Sequence, residues 1–526
     1  MKSVSRRDFL EAVGAAAGSG AMYRMATALG VLAAPTQSAL ASVRSLGKAR
    51  RSVVVLGAGI GGLTAAHELR KAGYDVTILE ASHRAGGRNM TLRHGDIVDE
   101  IGNRQVVDFD DEPHLYFNAG AARIPAEHTA LLDYCRELGV ALEVFVNENR
   151  NAYVQWDKAF DGRPVRQRQY VADARGFMAE LMAKSALNDK LETPFKGVDV
   201  ENLLAFFQVF GDLDPDYFYR GSDRGGFTSG GLIVEGERHE IFDFTDIMDS
   251  GFWRFNMHWN ELDFQAPMMM QAVGGMDRIV DGFMRKVGDA VTLHAWVKQI
   301  RLLDDGVEVI YARKGRERKV RADYCVSCIP SQLVVGLRNN FPSDYVRALK
   351  AARRSKLFKI GLQASERFWE KDRIYGGISW TGQDISQIWY PNHTFFAQKG
   401  ILQGAYSFNP NISDAFARMS PPERLREAIR QGKKIHPDYD KYIESGVSVP
   451  WQRMNHMLGC GTVWAEEDRA VHYARLQQPA GRHYLVGDQV SLHPGWQEGA
   501  IRSAHHALAD IDRRVQAELG DRAVAD

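Results

Sequence analysis

The chain has 526 residues, with 66 basic and 66 acidic side chains and 45% hydrophobic residues. At ~150 residues per domain this is three to four domain-sized units of globular protein, which excludes a disordered, collagen-like or multi-span membrane chain. A formal charge of zero offers no field for nucleic acid or an anionic membrane, so the expected partner is a small molecule. Four cysteines, Cys135, Cys325, Cys328 and Cys460, are too few to staple a chain this long, and packing must carry the stability.

The opening Ser5-Arg6-Arg7-Asp8-Phe9-Leu10 sets paired arginines before an apolar pair, and an Ala/Gly-rich stretch runs on to Ala39-Leu40-Ala41. Basic head, weakly apolar middle and small-x-small end read as a twin-arginine export signal over residues 1–41, giving a periplasmic or secreted protein. Spanning a bilayer takes ~20 strongly apolar residues, and Arg24, Pro35 and Gln37 interrupt this run; stable membrane insertion is not expected. Because that route carries folded proteins, a tightly held cofactor is.

The next element is the apolar run Ser52-Val53-Val54-Val55-Leu56, followed by Gly57-Ala58-Gly59-Ile60-Gly61-Gly62 and a segment with helical apolar spacing to Lys71. A short β-branched run bounded by glycines predicts a buried parallel strand turning tightly into a helix. Gly57 permits the turn, Gly59 lets a pyrophosphate approach the backbone, and Gly62 lets helix pack on strand, with the helix N-terminus at the phosphates. A second strand, Asp75 to Leu79, ends in Glu80, where a carboxylate accepts from ribose hydroxyls roughly 20 residues beyond the glycines. Strand, glycines, helix, strand and acid in register predict a dinucleotide site.

Ala81-Ser82-His83-Arg84-Ala85-Gly86-Gly87-Arg88 follows, a second glycine pair with a cation for a diphosphate. It resembles the Gly-Gly-Arg motif of the FAD-binding flavin amine oxidase family, which makes FAD the expected cofactor. Four other segments carry the same resemblance: Gly120-Ala121-Ala122-Arg123-Ile124-Pro125, Gln271 to Asp277 with Val297 beyond it, Gly487-Asp488, and Gly495-Trp496-Gln497-Glu498-Gly499-Ala500. In the family the acid at Asp488 hydrogen-bonds the ribityl-phosphate region, the helix start after Gly495 faces the flavin pyrimidine carbonyls, and a valine at the position of Val297 contacts the adenine.

The resemblance also implies a reaction. Amino acids differ from plain amines by a carboxylate, and a buried carboxylate demands a matching cation. Arg123 matches the arginine of L-amino-acid oxidases and Tyr406 the tyrosine that shares the carboxylate with it. Gly495 matches the glycine whose carbonyl receives the substrate ammonium, and Trp496 beside it walls the pocket. In Phe358-Lys359-Ile360-Gly361-Leu362 strand alternation sets Lys359 apart from Phe358, Ile360 and Leu362. It matches the catalytic family lysine that holds a water at flavin N5. Trp451 resembles a tryptophan packed on the isoalloxazine. Cys460 lies nine positions after Trp451, where mitochondrial-type monoamine oxidases attach FAD covalently; L-amino-acid oxidases generally do not, so non-covalent FAD is expected. Cys325 and Cys328 have a redox or zinc spacing but close an apolar strand with no second ligand pair, and read as buried packing.

The fold expected is α/β: a Rossmann-like FAD-binding domain built from 50–125, 265–330 and 445–526, a helical lobe at 126–264, and a mixed α+β substrate-binding domain at 331–444. The activity expected is FAD-dependent oxidation of L-amino acids by molecular oxygen, in a homodimer without metal. Amide-forming amino-acid oxidase/monooxygenases, monoamine or polyamine oxidases, and a non-catalytic flavoprotein are the alternatives.

Overall fold

The computed structural model describes residues 40, 42–188 and 198–525. The paired arginines of the expected export signal lie outside the described residues.

The β-branched run forms β1 (Ser52–Leu56), and helix α1 (Ile60–Lys71) returns the chain to β2 (Asp75–Leu79). Much later segments complete this sheet: β3 (Val291–Thr292), β4 (Tyr324–Ser327) and β5 (His483–Leu485), ordered β3-β2-β1-β4-β5 with every pairing parallel. Both faces are covered, as parallel sheets require. Val53 and Val55 enter the core formed with α1 and the long helix α2 (Gln497–Ala525), while Val54 and Leu56 enter a second core with Val334, Tyr345 and Leu349. Gly57 sits at φ +94°, and a Cβ on Gly62 would lie 2.1 Å from the Gly57 carbonyl oxygen. Glycine at both positions is thus a steric requirement of the turn.

A second, mixed sheet of seven strands carries the other half of the site. Its order is Val165–Arg166, Tyr153–Gln155, Ile378–Thr381, Gln387–Trp389, Gly400–Ser407, Phe358–Ala364, Ile443–Pro450. The sheet crosses the boundaries read from sequence: two strands come from the stretch expected to be helical, and the last runs across residue 445 into the expected FAD domain. Strands of two or three residues leave no periodic signal, and Tyr153–Gln155 joins the rest of the sheet through a partner more than 200 positions away, Trp380 with Val154. The helical stretch does supply Gln167–Leu187 and Val200–Gly211, which pack through Ala179, Ala183, Leu204 and Phe207. Strand Phe358–Ala364 is interior, between Gly400–Ser407 and Ile443–Pro450. Phe358, Ile360 and Leu362 bury themselves in the core on one face, which leaves Lys359 to the other. No helix among the described residues is long and apolar enough to cross a membrane.

Candidate active site

One cavity of about 770 Å³ runs between the two sheets, from Glu80 and Val297 past the glycine-rich turn to Lys359, Tyr406 and Trp451. At the turn, α1 starts after Gly59 with no side-chain cap, so the first helical N–H groups remain open to an anion. Gly59, Ile60 and Gly61 line the cavity there. Both Glu80 oxygens accept backbone N–H groups, from Ala58 at 2.6 Å and from Ser82 at 2.7 Å. Arg84 donates to the carbonyls of Ala85, Gly87 and Asn89 and so pins the second glycine pair.

Arg88, expected as a cation for a diphosphate, is already paired. It makes a two-pronged contact with Asp488 and donates to the Cys460 carbonyl at 2.7 Å. Asp488 also accepts from the Gly495 N–H at 2.8 Å. Burial alone would raise this carboxyl, but the Arg88 and Arg354 charges and these hydrogen bonds hold it at about 2. The acid thus locks the Gly-Gly-Arg loop to the segment leading into α2.

The opposite end is cationic and aromatic. Gly120 has room for no side chain: a Cβ would lie 1.7 Å from the Arg88 carbonyl oxygen. Its own carbonyl accepts from Lys359 Nζ at 2.8 Å, as the Asn118 carbonyl does at 3.2 Å. Lys359 faces Tyr406 across the strands; burial, with the nearby Arg123 charge, lowers it to about 7. Arg123 is 7% exposed, and its Nε and Nη2 both donate to Gln265 Oε1, at 3.1 and 2.7 Å. Its guanidinium carbon stands 4.8, 5.2 and 5.8 Å from the ring centres of Trp389, Trp496 and Trp259. Among the described residues no carboxylate pairs with it. Burial lowers Arg123 to about 10, which leaves it charged at neutral pH. A charge buried without a counter-ion costs several kcal/mol, partly offset by about 2 kcal/mol for each desolvated cation–π contact. Burial raises the Tyr406 phenol against the Arg123 charge, so its hydroxyl stays protonated and can donate.

Of the residues expected at the site, Gly57, Ala81, Gly86, Gly87, Ala121, Ala122, Trp496, Gln497 and Ala500 also line this cavity. Gly62, Glu498 and Gly499 do not. Gly62 lies beneath the turn, packed on Gly57 and Cys328. The Glu498 carboxylate turns away to accept the Ala130 and Leu131 N–H groups, capping helix Thr129–Glu137, and pairs with Arg502. Gly499 is pressed against Ser491 and His493. Trp451 donates its indole N–H to the Ala119 carbonyl at 3.1 Å. Cys325 is fully buried; Cys328 is half-buried, its thiol donating to the Gly57 carbonyl at 2.9 Å.

Sequence reasoning missed Gln265, Trp259, Trp389 and His128. His128 lines the cavity beside Trp496, and neither ring nitrogen has a partner among the described residues. Burial, with the His493, Arg123 and Arg502 charges, lowers it to about 3. Its place two residues after Ile124-Pro125-Ala126 was the available signal for proximity to Arg123; nothing local marked Gln265.

The profile described as flavin containing amine oxidoreductase matches residues 60–511. The flavin-dependent L-tryptophan oxidase RebO of Lentzea aerocolonigenes is 27% identical over 497 residues, covering 89% of this chain and 99% of the relative. The L-amino-acid oxidase of Echis ocellatus is 26% identical over 487 residues, covering 88% of this chain and 89% of the relative. Among solved structures, putrescine oxidase bound to putrescine superposes with a TM-score of 0.59 at 19% identity, over 88% of this chain and 99% of that one. Cyclohexylamine oxidase from Brevibacterium oxydans IH-35A gives 0.59 at 16% identity, over 89% and 99%.

Proposed function

The chain belongs to the flavin-containing amine oxidoreductase family, and from that premise we propose that it is an FAD-dependent L-amino-acid oxidase, yielding 2-oxo acids, ammonia and hydrogen peroxide. The observation that carries the substrate class is Arg123: a buried guanidinium, without a protein carboxylate among the described residues, at the cavity end shared with Lys359 and Tyr406. A cation so placed is complementary to the one group that separates amino acids from amines. The names of the curated relatives support the same class.

The residues present fit FAD. The uncapped start of α1 suits a diphosphate, Glu80 stands at the end of β2 for a ribose, and the cavity is long enough to reach Lys359. When bound, FAD supplies the acceptance of hydride from the α-carbon. The chain orients the substrate. Arg123 takes the α-carboxylate, the Tyr406 hydroxyl donates to it, and the Gly495 carbonyl receives the amine, which fixes the α-hydrogen relative to the reacting face. Trp259, Trp496 and Phe408 keep water from that end of the cavity. Lys359, which donates to the Asn118 and Gly120 carbonyls, would hold a water beside the bound flavin and so aid its reoxidation by oxygen. Hydride transfer needs no side chain to take the α-proton, and none is assigned.

The test is anaerobic mixing of the purified yellow protein with L- and D-amino acids and with amines, following loss of flavin absorbance. Bleaching by L-amino acids supports the reading; bleaching by amines alone makes it an amine oxidase, in line with the structural neighbours. No bleaching by either leaves a non-catalytic flavoprotein, and an amide product identifies a monooxygenase. The paired Arg6-Arg7 leader supports twin-arginine export of the loaded protein, checked by whether Arg6→Lys/Arg7→Lys retains it in the cytoplasm. A homodimer goes with the family resemblance and is checked by sedimentation.

A further inference from the structure

A deeply buried arginine ordinarily pairs with a carboxylate, and this protein contains such a case. Arg424 donates two hydrogen bonds to Glu100, at 2.7 and 2.6 Å, with both side chains fully buried. Arg123 is treated differently. Its Nε and Nη2 converge on one neutral oxygen, Gln265 Oε1, and its faces meet Trp389, Trp496 and Trp259. A guanidinium has five N–H donors, and the edge given to Gln265 leaves the Nη1/Nη2 fork, which is the edge that takes a carboxylate through two parallel hydrogen bonds.

Gln265 is itself held. Its backbone N–H donates to the Leu262 carbonyl at 2.8 Å, and its backbone carbonyl accepts from Asn147 Nδ2 at 2.7 Å. The same Asn147 amide reaches Asn260 at 3.0 Å, in the short helix Asn256–Glu261 that carries Trp259. Gln265, Trp259 and Arg123 all line the cavity. The backbone of Gln265 is thus anchored, and its side-chain carbonyl meets the guanidinium edge without cancelling its charge.

We infer that Gln265 is a specificity-determining positioning residue: it solvates Arg123 with a neutral carbonyl inside an aromatic cage, so that the full cationic charge stays free for a ligand carboxylate. This rests on the amino-acid reading above. The glutamine matters because glutamate, which has the same shape, would form the ion pair internally and abolish the preference for acids. Selection of amino acids over amines would then depend on one atom, Gln265 Oε1, acting through Arg123.

The experiment uses the holoenzyme and its Gln265→Glu variant. Benzoate and its neutral isostere benzamide are titrated against the flavin visible spectrum, and KM and kcat are measured with L-phenylalanine. In the wild type, benzoate binds more tightly than benzamide. In Gln265→Glu that ratio falls by about 10- to 100-fold, the scale of one charge-assisted hydrogen-bonded pair, and the L-phenylalanine KM rises by a similar factor with kcat changed less. A ratio and KM within twofold of wild type overturn the inference. If Gln265→Glu fails to hold flavin, Gln265→Met carries the test: without an acceptor to aim the guanidinium, the same ratio falls severalfold, and an unchanged ratio again overturns it. A wild-type protein that neither prefers benzoate nor is reduced by L-phenylalanine refutes the amino-acid reading before any variant is compared, and this inference falls with it.

Discussion

Lys359 and Tyr406 stand opposite one another on neighbouring antiparallel strands, with the lysine ammonium 4.7 Å from the centre of the tyrosine ring. The arrangement places the amine above a π face and beneath two backbone carbonyls, in a site dry enough to bring its titration to about 7. A lysine with that titration changes charge within the working range of an enzyme.

If the ammonium form assists the reaction with oxygen, the rate constant for reoxidation in stopped flow falls as pH rises from 6 to 9. Lys359→Met removes that dependence and lowers the rate by about 100-fold, the scale of one preorganised charge. A wild-type rate that is flat across this range, or a variant with the same profile, counts against the assignment.

The same lysine leaves a mark on stability. Its folded value, about 7, lies below the ordinary 10.5, so between those values the unfolded chain binds more protons and this group makes stability rise with pH. Below 7 both states are protonated and its contribution is constant and unfavourable. Lys359→Met therefore melts higher than wild type at pH 6, and the gap narrows by pH 9; a gap that widens with pH contradicts the burial of a charged amine.

For substrate recognition, Arg123→Met lowers kcat/KM for L-amino acids by about 100- to 1,000-fold, as expected when one partner of a buried charge pair is removed. Arg123→Lys restores only a fraction, since a point charge cannot reproduce the fork. Tyr406→Phe loses one hydrogen bond and about tenfold in kcat/KM. Steady-state kinetics with matched flavin content checks all three.

At the cofactor end, Gly62→Ala forces a methyl group to within 2.1 Å of the Gly57 carbonyl oxygen unless the turn opens. Purified Gly62→Ala protein is expected to be largely colourless, with flavin released from the remainder on gel filtration. Full flavin occupancy would show that the turn tolerates the shift.

Away from the site, Arg424→Leu strands the fully buried Glu100, leaving it the half-exposed Arg453 at 3.0 Å and the neutral Asn103 amide at 3.4 Å. Breaking such a pair costs about 3–5 kcal/mol, and the denaturation midpoint falls accordingly. Arg424 also donates to the Phe416 and Ala417 carbonyls, so Arg424→Lys rescues little.

Much of this was legible in the sequence where chemistry is written into consecutive residues. The glycines from Gly57 to Gly62 announce a backbone approach because no other residue fits, and Lys359 stands out because alternation isolates it from Phe358 and Ile360. What escaped was assembled at a distance. Gln265 is an ordinary polar residue until Asn147 and Arg123 are folded against it. Glu498 sits inside a motif aimed at the cofactor, yet its side chain serves the start of another helix. The seven-stranded sheet hid its outer strands because Tyr153–Gln155 and Val165–Arg166 are too short to carry a period.

The parallel sheet is stitched from segments at 52–56, 75–79, 291–292, 324–327 and 483–485. During synthesis, the glycine-rich turn leaves the ribosome hundreds of codons before β5 and the α2 helix, so the sheet can close only after the C-terminal segment is made. The lining of the coenzyme cavity, which includes Gly487 and Ala500, is therefore complete only once the C-terminal segment has been made.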